Sequence, residues 1–251
     1  MYAALKQFPN SWWVWIAGFW FLATVFIARI TPVLIVPLFF KYSPVDERLK
    51  KSIIGLSKKC KVGVLEVYKI DFSRKTNKLN AAVTGMGKTR RVILADNLVN
   101  EFTEDEVLGV LAHEFGHHRL FHMWQLLFFG AAATFLSFYI LYLVSLEITI
   151  LMKAQAVYDI SIFPAFMLIL FIVSFLTMPL QSAFSRKLEK EADAFALKTT
   201  RKREAFISLM EKLAERNLAD PAPPKLVKII FYDHPPIAER IRFAENFKFT
   251  D

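Results

Sequence analysis

Residues 111–122 read LAHEFGHHRLFH, and this stretch sets the expectations for the rest of the chain. It contains His113-Glu114-Phe115-Gly116-His117, which matches the pattern H-E-x-x-H. On a helix, residues four positions apart share one face, so both imidazoles can bind the same metal ion. Glu114 then stands beside the first of them as a general base. The pattern predicts a zinc site carried by a helix.

The sequence before this motif predicts the elements that support it. Thr103 and Glu106 have the spacing of a capping box, which predicts a helix that begins there and runs through residue 121. Residues 62–70 have strand composition, and residues 79–85 and 90–95 form a predicted hairpin around Gly85-Met86-Gly87.

His118 and His122 form a second pair at helical spacing, one residue further round the helix. No carboxylate adjoins the first member of this pair. We therefore interpret the two residues as groups that support the metal ligands or lie at an interface.

A catalytic zinc site needs a third protein ligand and one open position. Cys60 is the only cysteine, which excludes a site with several thiolates, and no histidine lies between residues 122 and 234. A carboxylate is therefore expected, and Glu189 and Asp193 are again four residues apart. One of them can bind the metal while the other accepts a hydrogen bond from a ligand imidazole. Solvated helix charges remain the alternative from spacing alone.

Three stretches without any charged side chain, residues 7–28, 123–146 and 160–185, predict membrane spans. Each is long enough, since a span needs about 20 apolar residues, and 55% of the chain is hydrophobic. Pro32 and Pro37 predict a kink or an end soon after the first span. Three buried helices of a soluble core are the alternative.

The spans divide the chain into an N-terminal span with its exit (1–40), a first catalytic part (41–122), a helical hairpin (123–185) and a second catalytic part (186–251). Of the 32 Lys and Arg residues, 15 lie in residues 41–122 and 14 in residues 182–251. Positive charge marks cytoplasmic segments, so the polar blocks are expected in the cytoplasm, facing the lipid bilayer. No motif supports nucleic-acid binding.

Five stretches resemble integral-membrane zinc metalloproteases, the family of type 1 CAAX prenyl proteases and HtpX-like proteases. The resemblance covers roughly residues 10–245 and favours the CAAX branch. It implies a membrane α-helical protein with a mainly α, zincin-like catalytic domain that carries a small β-sheet. The CAAX-type members have seven spans whereas this sequence predicts three, which leaves a compact relative and a missing N-terminal half as alternatives. The stretches are PVLIVPLFFKYSP (32–44), NAAVTGMGKTRRVILADNL (80–98), LAHEFGHHRLFH (111–122), SRKLEKEADAFA (185–196) and His234-Pro235-Pro236 with Glu239-Arg240.

The resemblance also implies roles for individual residues. One Zn²⁺ would be held by three ligands, with a general base, a carboxylate behind the ligands, two groups that face the oxyanion or position substrate, and a strand that pairs with substrate. The ligands would be His113, His117 and Glu189, with Glu114 as the general base and Asp193 as the carboxylate behind the ligands. His234 and Arg240 would face the oxyanion or position substrate. The strand that pairs with substrate would be Asn80, Ala81, Ala82 and Val83. The alternatives are a loop histidine for His234, a surface arginine for Arg240 and an ordinary core strand for residues 80–83.

Together these features predict a zinc-dependent endopeptidase that cleaves membrane-associated or lipidated polypeptides. A quality-control protease of the HtpX type is the alternative within the class. A non-catalytic membrane zinc scaffold and a metal transporter are alternatives from other classes, although a transporter should carry its ligands inside the spans.

Overall fold

The computed structural model describes residues 2–76, 79–85, 87–217, 220 and 223–249. Within them the chain forms two compact units, one from residues 1–31 and 124–181 and one from residues 32–123 and 182–251. The helices are α1 (Tyr2–Gln7), α2 (Trp12–Ile30), α3 (Val36–Phe39), α4 (Glu47–Lys59), α5 (Asp96–Glu101), α6 (Glu104–Arg119), α7 (His122–Leu151), α8 (Phe163–Thr200), α9 (Arg203–Asn217), α10 (Lys225–Phe231) and α11 (Ile237–Glu245). The strands are β1 (Tyr42–Pro44), β2 (Glu66–Ile70), β3 (Ala81–Thr84) and β4 (Arg91–Ala95).

The first unit contains the apolar helices. Among the described residues, three helices are long and apolar enough to cross a membrane: α2, α7 and the helical segment Ile160–Thr200 that includes α8. The first ends at Ile30, where a π-helical segment, Thr31–Ile35, follows. Trp12 is buried in the core of this unit and stacks on Phe166, with the ring centroids 6.1 Å apart. The predicted fold class, mainly helical with three apolar spans and a small sheet, is confirmed.

The second unit contains one four-stranded sheet with the order β1-β2-β4-β3. The β2 and β4 strands run parallel, whereas β1 pairs with β2 and β3 pairs with β4 in the antiparallel sense. The predicted hairpin is therefore confirmed, although Met86 lies outside the described residues. Gly85 has a φ of +92°, and a Cβ there would lie 2.7 Å from the Thr89 carbonyl oxygen, so the turn requires glycine.

Helix α6 begins as its sequence predicts. The Thr103 side chain accepts from the backbone N–H of Glu106, and the Glu106 side chain accepts from the N–H of Thr103, which completes the capping box. Its end was predicted wrongly. The helix stops at Arg119, and Phe121 adopts a φ of 60°, a left-handed conformation that breaks the helix before α7.

The core of the second unit lies between the sheet and helices α4, α6, α9 and α11. Val92, Leu94, Leu111 and Phe115 are completely or almost completely buried there. Removing each such side chain from water stabilises the fold by about 1.5–3 kcal/mol. Because Leu111 and Phe115 lie on α6, the same packing fixes the helix that carries the H-E-x-x-H motif.

Candidate active site

Gly116, inside the motif, lets α6 approach α8 closely. A Cβ on Gly116 would lie 3.3 Å from the Cα of Ala192 and 3.2 Å from the Phe195 ring. Real Cβ atoms seldom come so near a backbone atom, so any side chain here would separate the two helices. The glycine thereby allows Glu189, on α8, to reach the imidazoles on α6.

The structure brings the three predicted ligands together. Nε2 of His113 lies 3.1 Å from Nε2 of His117. Oε2 of Glu189 lies 3.2 Å from the first nitrogen, and Oε1 of the same carboxylate lies 3.3 Å from the second. A tetrahedral zinc ion with ligand bonds of about 2.0–2.1 Å separates its ligand atoms by about 3.3 Å. One ligand atom from each of the three residues lies within 4.8 Å of the others, so the three side chains are close enough to hold one metal ion.

The surroundings of Glu189 are a second observation that a cation fits this site. Its side chain is 8% exposed, and its Oε2 atom is buried yet accepts no hydrogen bond of regular geometry from the residues that the structure describes. A buried carboxylate oxygen in that state loses several kcal/mol of solvation unless a cation or donor meets it. Two imidazoles and a carboxylate are a donor set that suits zinc, so the residues fit the metal.

Asp193 and Arg240 hold His113 from behind. Nδ1 of His113 lies 2.9 Å from Oδ1 of Asp193, and Nε of Arg240 donates to Oδ2 of Asp193 at 2.8 Å. Burial opposes protonation of His113, but the hydrogen bond to Asp193 and the nearby carboxylate of Glu189 outweigh it and raise the pKa of His113 to about 9. Arg240, which the resemblance placed among the groups facing the oxyanion or substrate, forms a buried ion pair with Asp193.

Glu114 follows His113 on α6 and lines a cavity of about 450 Å³ together with His113, His234 and Arg240. Burial raises the pKa of the Glu114 carboxyl, while the neighbouring imidazoles of His113 and His117 oppose the rise. A carboxyl group whose pKa is raised toward neutrality is suited to accept and return a proton.

His234 lies at the rim of the same cavity and is half exposed. Its Nε2 atom is 3.4 Å from Oε2 of Glu189, and its Nδ1 atom is 2.9 Å from Oδ1 of Asp233. The structure thus places this predicted residue beside the third ligand, with the rest of the imidazole open to solvent.

Strand β3 forms the edge of the sheet next to the cavity, which Asn80 and Ala81 line. The carbonyl of Asn80 accepts from the N–H of Ala95, so Asn80, and by alternation Ala82, direct their backbone groups toward β4. Ala81 and Val83 therefore direct theirs to the free edge. There the Val83 carbonyl lies 3.1 Å from Nε2 of His118.

His122, which the sequence placed among groups that support the ligands or lie at an interface, contacts a ligand and also contacts Glu191, which was given no role. His122 lies 3.0 Å from His117, between their Nδ1 atoms, and its Nε2 atom lies 3.2 Å from Oε2 of Glu191. The helical wheel concealed this contact, because a continuous helix would turn His122 away from His117. The left-handed φ of Phe121 was the missing information.

Comparison with known proteins agrees with this geometry. Residues 44–248 match the model of peptidase family M48. The chain is 32% identical to the uncharacterised metalloprotease YhfN of Bacillus subtilis over 98% of this chain and 59% of that one, and 32% identical to CAAX prenyl protease 1 of Saccharomyces cerevisiae over 96% and 58%. The crystal structure of S. mikatae Ste24p superposes with a TM-score of 0.85 at 28% identity, covering 98% of this chain and 61% of that one.

The chain thus spans about three fifths of the length of the relatives it matches. The family model itself covers most of this sequence, including the motif on α6 and the carboxylates on α8. The resemblance noted from the sequence is confirmed: this chain belongs to peptidase family M48.

Proposed function

We propose that this protein is a zinc-dependent endopeptidase of the membrane. One observation carries the proposal: two imidazoles and a carboxylate converge closely enough to hold one metal ion, beside a cavity that the half-buried side chain of Glu114 also lines. Membership of a peptidase family and relatives named as metalloproteases support the same reaction class.

His113, His117 and Glu189 would hold the zinc ion, which supplies a Lewis acid that polarises a peptide carbonyl and acidifies a water molecule. Glu114 would take the proton from the attacking water at its carboxylate and deliver it to the departing amine. Asp193 would keep the proton of His113 on Nδ1, which leaves Nε2 free to bind the metal. His234, at the cavity rim, is placed to donate a hydrogen bond toward charge that develops on the carbonyl oxygen.

The substrate would bind as an extended strand along the free edge of β3. The N–H and C=O of Ala81 and the N–H of Val83 face that edge, and an added strand can pair with them. His118 occupies the carbonyl of Val83, so the substrate cannot use that acceptor unless the imidazole moves. Asn80 would contribute its side chain, which adjoins the cavity.

The substrate class follows from the membrane helices. Three helices of sufficient length and hydropathy support a multi-pass membrane protein, and the lysine and arginine excess of the catalytic blocks supports a cytoplasmic catalytic unit. A protease in that place meets membrane-tethered polypeptides most often. Several relatives are named CAAX prenyl protease 1, which favours lipidated polypeptides over the HtpX-type alternative.

Zinc quantification coupled to peptide cleavage tests the proposal. The purified protein is expected to bind one zinc ion and to cleave a farnesylated peptide faster than its unfarnesylated twin. Glu114→Gln should retain zinc and lose cleavage, because the amide cannot accept the proton. Zinc binding without cleavage of any peptide by the wild-type protein would favour the non-catalytic scaffold. Cleavage that survives Glu114→Gln would refute the general-base assignment.

A further inference from the structure

The break between α6 and α7 has a consequence at the site. In a continuous helix, residue 122 would lie five positions after His117 and about 140° round the axis from it. Phe121, with its φ of 60°, interrupts the helix one residue before His122. A bulky residue in the left-handed region is strained, and such strain persists only where the surrounding structure imposes it. Here it turns the His122 side chain back toward His117.

His122 is completely buried, and both of its ring nitrogens have partners. Nδ1 lies 3.0 Å from Nδ1 of His117, and Nε2 lies 3.2 Å from Oε2 of Glu191. The Glu191 side chain is 42% exposed, so the chain of contacts leads from the metal-binding imidazole to a solvated carboxylate.

The proton positions in this chain follow from the acceptors at its two ends. Nε2 of His117 faces Glu189 and must be free of a proton to bind a metal, so the proton of a neutral His117 sits on Nδ1. Nδ1 of His122 must then accept that hydrogen bond. The His122 proton consequently sits on Nε2, where it is donated to the Glu191 carboxylate. Only this arrangement leaves Nε2 of His117 free for the metal and gives the other three ring nitrogens of His117 and His122 a hydrogen-bond partner.

We propose that His122 and Glu191 form a relay that positions His117 as a zinc ligand, with Phe121 as the backbone break that makes the relay possible. The inference rests on the proposed zinc site. The two ligand imidazoles would then be oriented by different devices: His113 by the buried Asp193–Arg240 ion pair, and His117 by a second imidazole backed by an exposed carboxylate.

The test is zinc affinity, measured by competition with a chelator on the purified full chain. Asn places its carbonyl oxygen where His has Nδ1, whereas Gln reaches the position of Nε2. His122→Asn should therefore still accept from His117 and remain within a few-fold of wild-type affinity. His122→Leu and His122→Gln should each weaken zinc binding by about 10- to 100-fold. Glu191→Ala should fall between these limits, since it removes the acceptor for Nε2 of His122.

Lys190→Ala is the matched control, because Lys190 is exposed on the same turn of α8 as Glu191. It should leave the zinc affinity unchanged. A purely structural role for His122 would make Asn and Gln equally damaging, and that result would overturn the inference, as would wild-type affinity in His122→Leu. Failure of the wild-type protein to bind zinc at all would instead overturn the proposed function.

Discussion

Variants of the Asp193–Arg240 ion pair can separate its contribution to the stability of the catalytic unit from its contribution to zinc binding. The Asp193 side chain is 1% exposed and that of Arg240 is 10% exposed. Removing one partner of such a buried pair leaves an uncompensated charge and costs about 3–5 kcal/mol. Asp193→Leu is therefore expected to destabilise the catalytic unit by that amount, a fall in Tm of roughly 6–20 °C for a unit of this size.

Unfolding of the catalytic unit can be followed by the reactivity of the single cysteine. Cys60 is 2% exposed in the core of the catalytic unit, and burial raises its pKa to about 11, so a fluorogenic thiol reagent should react only when that unit opens. The double variant Asp193→Leu with Arg240→Leu should recover much of the lost Tm, because two apolar side chains can replace a buried ion pair. It should not recover wild-type zinc affinity, because His113 still lacks its acceptor.

The control for this prediction is Arg216→Leu, which breaks the exposed pair of Arg216 with Glu101 in the same unit. Exposed pairs contribute about 0–1 kcal/mol, so its Tm should change by only a few degrees. The reasoning is refuted if Asp193→Leu lowers the Tm no more than Arg216→Leu does. It is also refuted if the double variant is no more stable than Asp193→Leu.

Three further predictions follow from the site. Because the pKa of His113 is raised to about 9, zinc must displace a proton below that pH; the apparent zinc affinity from chelator competition should therefore rise about tenfold per pH unit between pH 6 and 8, and a flat profile would contradict this. Gly116→Val should weaken zinc binding by separating α6 from α8, whereas Gly109→Ala on the same helix, where the nearest atom is 3.6 Å away, should leave the affinity unchanged. His118→Phe should lower KM for peptide and leave kcat and zinc affinity intact, because it frees the carbonyl of Val83 as an acceptor for the substrate strand; parallel losses of kcat and zinc affinity would place His118 with the ligands instead.

Helical spacing predicted the two histidine ligands, whereas the resemblance assigned the third ligand. His113 and His117 share a helical face, and no histidine lies between residues 122 and 234, so a carboxylate was expected as the third ligand and the resemblance assigned it to Glu189. The partner of that helix could not be derived from spacing alone, because Glu189 lies 72 positions after His117 along the chain and only tertiary packing brings them together.

Side-chain partners were the least predictable feature. Arg240 was assigned to the oxyanion or substrate side by resemblance; it lines the cavity, and the contact of its guanidinium with Asp193 was not predicted. His122 and Glu191 meet because one residue, Phe121, takes a backbone conformation that its side chain disfavours. Helical periodicity assumes regular φ and ψ, so it fails at such a break.

Zinc K-edge absorption spectroscopy of the purified protein tests the central claim most directly, because it reports the atoms bound to the metal. We expect one zinc ion with only nitrogen and oxygen neighbours at about 2.0–2.1 Å, two of them imidazoles, and the loss of one imidazole signal in His113→Ala. A sulfur neighbour at about 2.3 Å would implicate Cys60 and contradict the assignment. A spectrum unchanged in His113→Ala would contradict it equally.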